Sequence, residues 1–257
     1  MSSFRGKFVW YELMTTDTSA AGAFYRRVVG WGTKDAGLPN MQYTLLTVGE
    51  TSIGGMMVLP EQASKAGARP GWIGYVAVDD VDATAARFSQ EGGVIHHAPD
   101  DIPGVGRFAV VGDPQGAALA LFTGRGEAPG AAPPRGTPGH AGWRELVATD
   151  AEAAFAFYAK LFGWGKGNAI DMGEMGSYQQ LTMDGETFGG IVTKPKTVPT
   201  PVWRYYFNVD DIDAGAARVR DGGGQVLNGR MQVPGGNWVV HCRDPQGGMF
   251  ALYGPQR

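Results

Sequence analysis

The stretch Phe8-Val-Trp-Tyr-Glu-Leu-Met-Thr-Thr-Asp17 returns 133 positions later as Ala141-Gly-Trp-Arg-Glu-Leu-Val-Ala-Thr-Asp150. The same spacing relates the Phe24-Tyr25 pair to Phe157-Tyr158. Solenoid units repeat every roughly 20 to 50 residues, so a repeat this long indicates a duplicated domain. The chain is therefore expected to hold two similar binding places.

Later motifs repeat with a slightly shorter spacing. Two of them recur 131 positions downstream: Val78-Asp-Asp-Val-Asp-Ala83 as Val209-Asp-Asp-Ile-Asp-Ala214, and Asp113-Pro-Gln-Gly116 as Asp244-Pro-Gln-Gly247. Between the two copies, residues 126–139 are rich in proline and glycine and have no apolar period, which predicts an extended linker. The sequence thus predicts two modules, residues 1–125 and 140–257.

The composition is typical of a globular protein, with 257 residues, 43% hydrophobic and 18% charged. A formal net charge of −3 without any lysine-arginine cluster makes nucleic acid an unfavourable partner. The single cysteine, Cys242, cannot form an intrachain disulfide, which favours a reducing compartment and a buried core role. No apolar run is long enough for export or for spanning a bilayer, so we expect a cytoplasmic protein with no membrane partner.

Each module is predicted to be α+β, with two units of one strand, one helix and three further strands. The first strand covers about residues 8–15, and the helix after it is capped by Asp17 and stopped by Gly30. The second helices are expected at about 80–91 and 211–221. Each Asp-Pro-Gln-Gly predicts a hairpin turn. The other strands of the first module are predicted at about 41–48, 51–58, 72–78, 93–97, 106–112 and 116–123.

This pattern, with the doubled Phe-Tyr…Gly-Trp helix ends and Asp-Pro-Gln-Gly hairpins, resembles the vicinal oxygen chelate superfamily. That superfamily includes glyoxalase I, the bleomycin and fosfomycin resistance proteins and the extradiol dioxygenases. More narrowly, the doubled Glu-Leu-x-x-Thr-Asp looks like the two-module, glyoxalase-like proteins that are labelled as hydroxylases. The resemblance covers nearly all of the chain outside the linker. It implies tandem modules in which two βαβββ units curl a sheet into a cup, and a divalent metal that chelates adjacent substrate oxygens there.

The resemblance also implies metal ligands on three strands of each module: a histidine or glutamine, a second histidine and a glutamate. The residues at these positions are Trp10, Ile73 and Ala120 in the first module and Trp143, Arg204 and Ala251 in the second. None of these side chains is a plausible ligand for a divalent ion, which prefers imidazole, carboxylate or thiolate. We therefore expect the usual metal site to be missing from both modules, and no cofactor.

A metal site at other positions is the alternative. His96 and His97 are adjacent on a strand, so their side chains point to opposite faces. His140 has no counterpart in the first module, and His241 stands at the position of Val110. With one divalent ion held by such residues and a glutamate, the protein would be a metal-dependent lyase, dioxygenase or hydroxylase.

Two glutamates are the candidate catalytic residues. Because side chains alternate along a strand, Glu12 shares a face with Trp10, and Glu145 shares one with Trp143. A carboxylate on an apolar, partly enclosed wall can exchange a proton near neutral pH. Each glutamate is therefore a candidate general base or anchor for a cationic or hydroxylated ligand. The structural alternative is that each accepts hydrogen bonds from a neighbouring arginine or from backbone amides.

The same alternation places Arg204, Tyr206 and Asn208 on one face of a strand in the second module. Arg204 is a candidate clamp for a carboxylate or phosphate, because guanidinium offers a planar fork of donors. The alternative is that Arg204 only pairs with Glu145. The equivalent face of the first module carries less polar residues, which predicts that the two sites have diverged.

Aromatic and soft side chains are predicted to form the walls of both sites, as in pockets that bury a small molecule. These residues are Trp10, Tyr75, Phe122, Trp143, Met249 and Tyr253. Their structural alternative is ordinary core. Two glycine pairs, Gly54-Gly55 and Gly189-Gly190, lie in predicted strands, where sheet curvature is the default explanation and ligand access the lesser one.

The leading hypothesis is a small-molecule-binding protein, or a metal-independent enzyme that uses Glu12 or Glu145, acting as a monomer or homodimer. The metal-dependent enzyme described above is the second hypothesis. A scaffold protein with filled cups is the third. The residues do not decide whether each cup uses strands from one module or from both.

Overall fold

A computed structural model describes residues 4–38, 41–126, 133–173 and 176–257. The first module contains eight described strands and three helices. They are β1 Phe8–Thr15, α1 Thr18–Val29, β2 Gly32–Asp35, β3 Thr44–Val48, β4 Thr51–Val58, α2 Glu61–Lys65, β5 Gly71–Ala77, α3 Val81–Gln90, β6 Val94–Ile102, β7 Gly106–Gly112 and β8 Ala118–Gly124.

Among the described residues, the second module repeats this order without the short α2 and with two short strands, β14 and β15, in place of β6. Its elements are β9 Ala141–Ala148, α4 Ala151–Phe162, β10 Gly165–Asp171, β11 Ser177–Met183, β12 Glu186–Thr193, β13 Val202–Asn208, α5 Ile212–Asp221, β14 Gln225–Val226, β15 Met231–Gln232, β16 Trp238–Arg243 and β17 Met249–Gly254. The α+β class and the tandem arrangement expected from the sequence are confirmed.

Two short elements, β2 and α2, are missing from the ranges inferred from the sequence. The four residues of β2 are mostly exposed and carry no hydrophobic period, so their strand structure comes from pairing with β3. Helix α2 has five residues, none of them buried. Such elements leave little local signal.

The helix ends follow the predicted capping chemistry. The Asp17 side chain accepts a hydrogen bond from the Ala20 amide at 2.9 Å, and Gly30 ends α1 in the left-handed region with φ of 88°. In the second module, Asp150 caps α4 in the same way. A cap of this kind stabilises a helix by about 1 kcal/mol. The duplicated sequence therefore encodes the same helix boundaries twice.

The chain divides into two compact units, and each unit combines parts of both modules. Unit 1 consists of Met1–Val9, Gly74–Ala132 and Arg144–Trp203. Unit 2 consists of Trp10–Ile73, Pro133–Trp143 and Arg204–Arg257. Each unit therefore brings together one half of the first module and the opposite half of the second, a point that the sequence left open.

In unit 1 the strands run in the orders β5-β8-β7-β6 and β10-β11-β12-β9. Aromatic residues fill its core. Phe88 packs edge-on against Phe157, and the buried Tyr158 stacks on Trp164. The Tyr158 hydroxyl donates to Asp113 at 3.0 Å and accepts from the Trp203 indole at 3.1 Å, so polar atoms inside this core are hydrogen-bonded.

In unit 2 the strands run in the orders β2-β3-β4-β1 and β13-β17-β16-β14, and β15 pairs with β16. Its core repeats the arrangement of unit 1. The buried Tyr25 stacks on Trp31, donates to Asp244 at 2.9 Å and accepts from the Trp72 indole at 2.9 Å. Cys242 is fully buried, and burial raises the pKa of its thiol to about 12, which fits the inert core role expected for it.

Part of the predicted extended linker is packed structure. Residues 127–132 lie outside the described residues, but 133–139 form turns in unit 2. The Gly139 carbonyl accepts a hydrogen bond from the Trp31 indole at 2.7 Å, and the Gly139 amide donates to the Asn208 carbonyl at 2.9 Å. The expectation of an extended spacer is wrong for this part, because its backbone groups find tertiary partners that composition does not reveal.

None of the helices in the described ranges is both long and apolar enough to cross a membrane.

Candidate functional site

In unit 2, Glu12 lies beside a tyrosine that sequence reasoning missed. Strand β1 pairs in parallel with β4, and Glu12 stands opposite Gly55. The ring of Tyr43 lies over Gly55, where a Cβ atom would overlap it. The Trp10 indole donates to the Tyr43 hydroxyl at 2.9 Å, and that hydroxyl donates to the Glu12 carboxylate. Trp10 and Glu12 therefore share one strand face, as the alternation predicted.

This arrangement buries charge and hydrogen bonds together. Glu12 is only 6% exposed. Burial first, and then the negative charge of Glu12, raise the pKa of Tyr43 well above its usual value. Tyr43 therefore keeps its proton and acts as a permanent donor to the Glu12 carboxylate.

The buried glutamate, the glycine opposite it and the tyrosine ring recur in unit 1. Glu145 is 8% exposed and stands opposite Gly190 in the parallel pair of β9 and β12. A Cβ atom at Gly190 would overlap the ring of Tyr178. The glycines Gly55 and Gly190 thus leave room for a tyrosine ring beside each buried glutamate.

Tyr43 and Tyr178 could have been found from the repeat. They are 135 positions apart, as are Gly55 and Gly190, so the four residues duplicate together. The curvature explanation holds for the neighbouring Gly54, which lies at a register shift between β3 and β4. At Gly55 a glycine is needed because the Tyr43 ring occupies the space that a Cβ atom would fill.

A polar cluster forms on β13 and β16 in unit 2, and we name Arg204, Tyr206 and His241 the β13–β16 cluster. Nη1 of Arg204 lies 3.3 Å and the Tyr206 hydroxyl 3.0 Å from His241 Nε2. Strand register explains the meeting, because Tyr206 and His241 both stand opposite Ala251 of β17. Only Arg204 and Tyr206 were expected in the binding set; His241 was considered as a metal ligand.

The protonation state of His241 follows from its neighbours. Burial and then the positive charge of Arg204 lower the pKa of His241 to about 3, so its imidazole is neutral at neutral pH. Arginine has no acceptor, so Nε2 must accept the hydrogen bond from Arg204, which places the imidazole proton on Nδ1. The cluster thus carries a positive charge at Arg204 and none at His241.

Aromatic residues surround this cluster. The buried residues Tyr206, Val239 and Ala251 pack against the half-buried Trp143, Val233 and Tyr253. Asn237 Nδ2 donates to the Tyr253 hydroxyl at 2.7 Å, and the Arg135 guanidinium lies 5.6 Å from the centre of the Trp143 ring. The predicted wall residues Trp143 and Tyr253 therefore lie around the same small core.

Two other predicted ligand-binding residues make structural contacts. Asn208 is buried, and its Nδ2 donates to the Thr137 carbonyl at 3.0 Å. Met249 is half-buried, and its sulfur lies 3.5 Å from Nε of Arg243. Their roles in ligand binding stay predictions.

The predicted pair Tyr75 and Phe122 belongs to an aromatic set in unit 1. Their ring centres are 6.3 Å apart, and Phe108 lies 6.5 Å from Tyr75. The exposed His97 stacks on Phe108 with ring centres 4.9 Å apart. Strand pairing places Phe108 opposite Phe122, while Tyr75 is paired with Ala120. This face is aromatic where the β13–β16 cluster is polar.

No group of three or more histidine, cysteine, aspartate or glutamate residues that could hold a metal ion occurs within the four described ranges. His96 lies against Gly112, and His97 stacks on Phe108. The β6–β7 register shifts between Ile95 and His97, so strict alternation does not apply across this pair, and the expectation of opposite faces stays a prediction.

Two open clefts in unit 2 have volumes of about 340 and 480 Å³. They are lined mainly by residues of α1 and by residues in and near α5. Neither contains a predicted site residue, so we place the candidate site at the glutamates and the β13–β16 cluster, where the chemistry is concentrated.

The fold and the doubled motifs agree with a family model, described as the Glyoxalase/Bleomycin resistance protein/Dioxygenase superfamily, which matches residues 7–121 and 137–252. The chain belongs to this superfamily, with one copy of the domain in each module.

Similar proteins cover nearly the whole chain. "Putative glyoxylase CFP32" of Mycobacterium tuberculosis (strain CDC 1551 / Oshkosh) is 32% identical over 96% of this chain and 94% of its own length. "Anthracycline biosynthesis protein DnrV" of Streptomyces peucetius is 29% identical over 96% of this chain and 92% of its own.

Solved structures share the fold at low sequence identity. The Mn(II)-bound glyoxalase from Novosphingobium aromaticivorans matches with a TM-score of 0.64 and 16% identity, over 100% of this chain and 84% of that one. The 2,2',3-trihydroxybiphenyl 1,2-dioxygenase from Sphingomonas wittichii strain RW1 matches with a TM-score of 0.64 and 13% identity, over 96% and 89%.

Proposed function

We propose that this protein binds small molecules in both modules, with Glu12 and Glu145 as proton acceptors or hydrogen-bonding anchors. The observation that carries the proposal is the duplicated set of a buried glutamate with a tyrosine ring over the opposite glycine. A buried carboxylate is costly to keep unless it has a structural or chemical use.

The chemistry of Glu12 follows from its neighbours. The Tyr43 hydroxyl donates to the carboxylate and is itself held by the Trp10 indole, so one lone pair of Glu12 has a fixed direction. An ionised carboxylate has further acceptor sites, which suit a ligand hydroxyl, ammonium or acidic C–H. A proton released by a bound ligand would pass to a Glu12 oxygen.

The residues at the family's usual ligand positions do not fit a divalent metal. The first module offers indole and alkyl groups there, and the second offers indole, guanidinium and methyl groups. None of these supplies the imidazole nitrogen, carboxylate oxygen or thiolate that such ions require. We therefore propose binding that does not use a metal at these positions.

The ligand class follows from the walls and from one group of relatives. Tyr75, Phe108 and Phe122 form an aromatic face in unit 1, and Trp143 and Tyr253 flank the polar cluster in unit 2. Aromatic side chains favour flat aromatic ligands by stacking. The name of DnrV refers to anthracycline biosynthesis, which supports an aromatic, oxygenated ligand.

A divalent-metal-dependent lyase or dioxygenase is the second candidate. The observation in its favour is that solved structures of the same fold include a Mn(II)-bound glyoxalase and a 2,2',3-trihydroxybiphenyl 1,2-dioxygenase. The ligands would then be among His96, His97 and His241, with a glutamate.

The test is ligand binding with and without metal. Catechol, 2-hydroxybenzoate and a hydroxylated anthraquinone are titrated into EDTA-treated protein and into protein supplied with Mn²⁺, Fe²⁺ or Zn²⁺. We expect binding by EDTA-treated protein, and a Kd raised about 10-fold or more by Glu12→Gln or Glu145→Gln, because a hydrogen bond to a charged group contributes about 1.5–3 kcal/mol.

The exposed Glu50 provides the matched control, since Glu50→Gln changes the same charge in the turn between β3 and β4, which carries no predicted site residue. Equal Kd values for all three variants and the wild type would refute the role of the glutamates. Stoichiometric metal in the purified protein, together with binding that requires it, would favour the second candidate.

A further inference from the structure

The larger open cleft of unit 2 lies between helix α1, the end of helix α5 and the β16–β17 turn, and its volume is about 480 Å³. This size falls within the range of pockets that hold small molecules. Its lining is distinct from the candidate site at the glutamates and the β13–β16 cluster. The residues that line it are Ala20, Ala23, Phe24, Arg27, Asp221, Gly222, Pro245 and Gln246.

The matching position of unit 1 carries an ion pair. Lys160, the counterpart of Arg27 133 positions later, has its Nζ atom 2.6 Å from Oε2 of Glu91. The counterpart of Glu91, 131 positions later, is Gly222, which supplies no carboxylate. The exposed Arg27 instead donates from Nη1 to the Asp221 carbonyl at 3.0 Å, which uses one of the five N–H groups of a guanidinium. Unit 1 therefore fills with its own carboxylate a position that is open in unit 2.

A glutamine in the same cleft also differs from its counterpart. In unit 1 the Gln115 side chain is held at both ends, because Nε2 donates to the Asp150 carbonyl and Oε1 accepts from the Asp150 amide, each at 2.8 Å. Within the described part of the chain, Oε1 of Gln246 is buried and has no hydrogen-bond partner. A buried acceptor without a donor is unfavourable, so an N–H group that a ligand brings to this oxygen is favoured.

The charges of the cleft indicate the class of ligand. Beside the cation of Arg27 stands the exposed carboxylate of Asp221, whose counterpart in unit 1 is the neutral Gln90. A carboxylate matches the guanidinium fork, and an ammonium has three donors for Asp221 and Gln246. The rest of the lining consists of alanine, phenylalanine, glycine and proline, which suits a small apolar group.

We propose that this cleft is a second binding site and that it takes a zwitterionic α-amino acid with an apolar side chain. The carboxylate of the ligand meets Arg27 as the carboxylate of Glu91 meets Lys160 in unit 1. Its ammonium donates to Asp221 and to Oε1 of Gln246. The inference goes beyond the proposed function and does not rest on it, because the two sites have different linings.

The experiment compares three probes that share one apolar side chain: L-leucine, L-leucinamide and 4-methylpentanoate. Each is titrated into the full chain at about pH 6.5, where the α-amino group is protonated, and binding is followed by calorimetry and by backbone amide NMR. We expect a millimolar Kd for leucine and a Kd about 3-fold or more higher for each analogue, because each lacks one charged contact at an open site. The amide signals of Gly222 and Gln246 should shift on binding of leucine.

A substitution that copies unit 1 gives the sharpest test. Gly222→Glu introduces the carboxylate that unit 1 has at Glu91, so it should occupy Arg27 and raise the Kd for leucine about 10-fold or more. The added Cβ atom would lie 2.9 Å from the Phe24 ring, which must shift slightly. If Gly222→Glu does not fold, the probe comparison and the charge variants still test the proposal.

The charge variants assign the two ends of the ligand. Arg27→Gln should bring the affinities for leucine and leucinamide within about 2-fold of each other, and Asp221→Asn should do the same for leucine and 4-methylpentanoate. The matched control is Arg26→Gln. It removes the neighbouring arginine, whose Nη2 donates to Thr33 at 3.1 Å outside the cleft, and should leave all three affinities unchanged.

The outcomes separate this site from the proposed function. Equal binding of the three probes, or an unchanged Kd for leucine in Arg27→Gln, overturns the inference. So does the absence of binding at about 20 mM leucine, a concentration well above a millimolar Kd. None of these results bears on the binding of aromatic ligands at Glu12 and Glu145, which the titrations of EDTA-treated protein test independently.

Discussion

Replacement of Tyr25 by phenylalanine tests the buried hydrogen bonds that support unit 2. The Tyr25 hydroxyl donates to Asp244 Oδ2 and accepts from the Trp72 indole, each at 2.9 Å. The other oxygen of Asp244 accepts from the amides of Gln246 and Gly248, which closes the β16–β17 hairpin. Tyr25→Phe removes one donor and one acceptor without creating a large cavity.

The expected loss can be worked out from these contacts. A hydrogen bond to a charged group contributes about 1.5–3 kcal/mol, and an indole N–H left buried without an acceptor costs about 1–3 kcal/mol. Relaxation of the neighbours offsets part of this sum. We expect the free energy of unfolding to fall by about 3 kcal/mol at pH 7, which is a large share of the stability of an ordinary domain.

The loss should depend on pH in a defined direction. Burial raises the pKa of Asp244 in the folded protein, although backbone amides and Tyr25 act in the opposite direction. A raised folded-state pKa means that ionisation of Asp244 lowers stability as the pH rises from about 3.8 through the folded pKa. Tyr25 offsets this cost by stabilising the carboxylate, so Tyr25→Phe should cost most above the folded pKa and less when Asp244 is protonated.

Urea unfolding of wild type and variant, from pH 7 down to about pH 4, measures both effects. Tyr158→Phe should behave alike in unit 1, because the Tyr158 hydroxyl donates to Asp113 at 3.0 Å. Tyr253→Phe is the control, since the Tyr253 hydroxyl accepts from an amide and its loss should cost less than about 1.5 kcal/mol without pH dependence. A loss below about 0.5 kcal/mol for Tyr25→Phe, or one that grows in acid, would refute the reasoning.

Two further perturbations test the candidate site. Gly55→Ala places a Cβ atom where the Tyr43 ring lies, so it should lower the free energy of unfolding by about 1–3 kcal/mol. Chemical denaturation measures the loss. Adding Tyr43→Ala in the same chain should recover part of it. An equal loss with and without the Tyr43 ring contradicts the overlap. For His241, ¹⁵N NMR should show a neutral imidazole with the proton on Nδ1 and no titration between about pH 5 and 8. Arg204→Gln should raise the pKa of His241, because it removes a positive charge. If His241 of the wild type titrates near the ordinary pKa of histidine, the argument that burial lowers its pKa is contradicted.

Local sequence chemistry was sufficient for the helices and most of the strands. Asp17 and Gly30 mark the two ends of α1 because side-chain capping and a positive φ are properties of single residues. Strand alternation likewise placed Trp10 with Glu12 and Arg204 with Tyr206, because the side-chain period of two needs no knowledge of the partner strand.

The candidate site was only partly predictable for the same reason. Glu12 and Arg204 were identified from their own strands, but Tyr43 immediately precedes β3 and His241 lies on β16. Their positions depend on contacts between strands, which lay the Tyr43 ring over Gly55 and set His241 opposite Ala251. The duplication of Tyr43 as Tyr178, at the spacing of the glycines, was the one local sign of such a partner.

The amino-acid sequence alone determined that the chain is a duplicated α+β protein of the glyoxalase superfamily, since repeats, helix caps and turns depend on residues that are close together in the sequence. Only the tertiary structure decided that each compact unit combines halves of both modules. It also decided that residues 133–139 are packed and that Arg204 meets His241. The physical reason is that these features depend on contacts between segments far apart in the chain, where packing and hydrogen bonding select one arrangement among several that the local pattern permits.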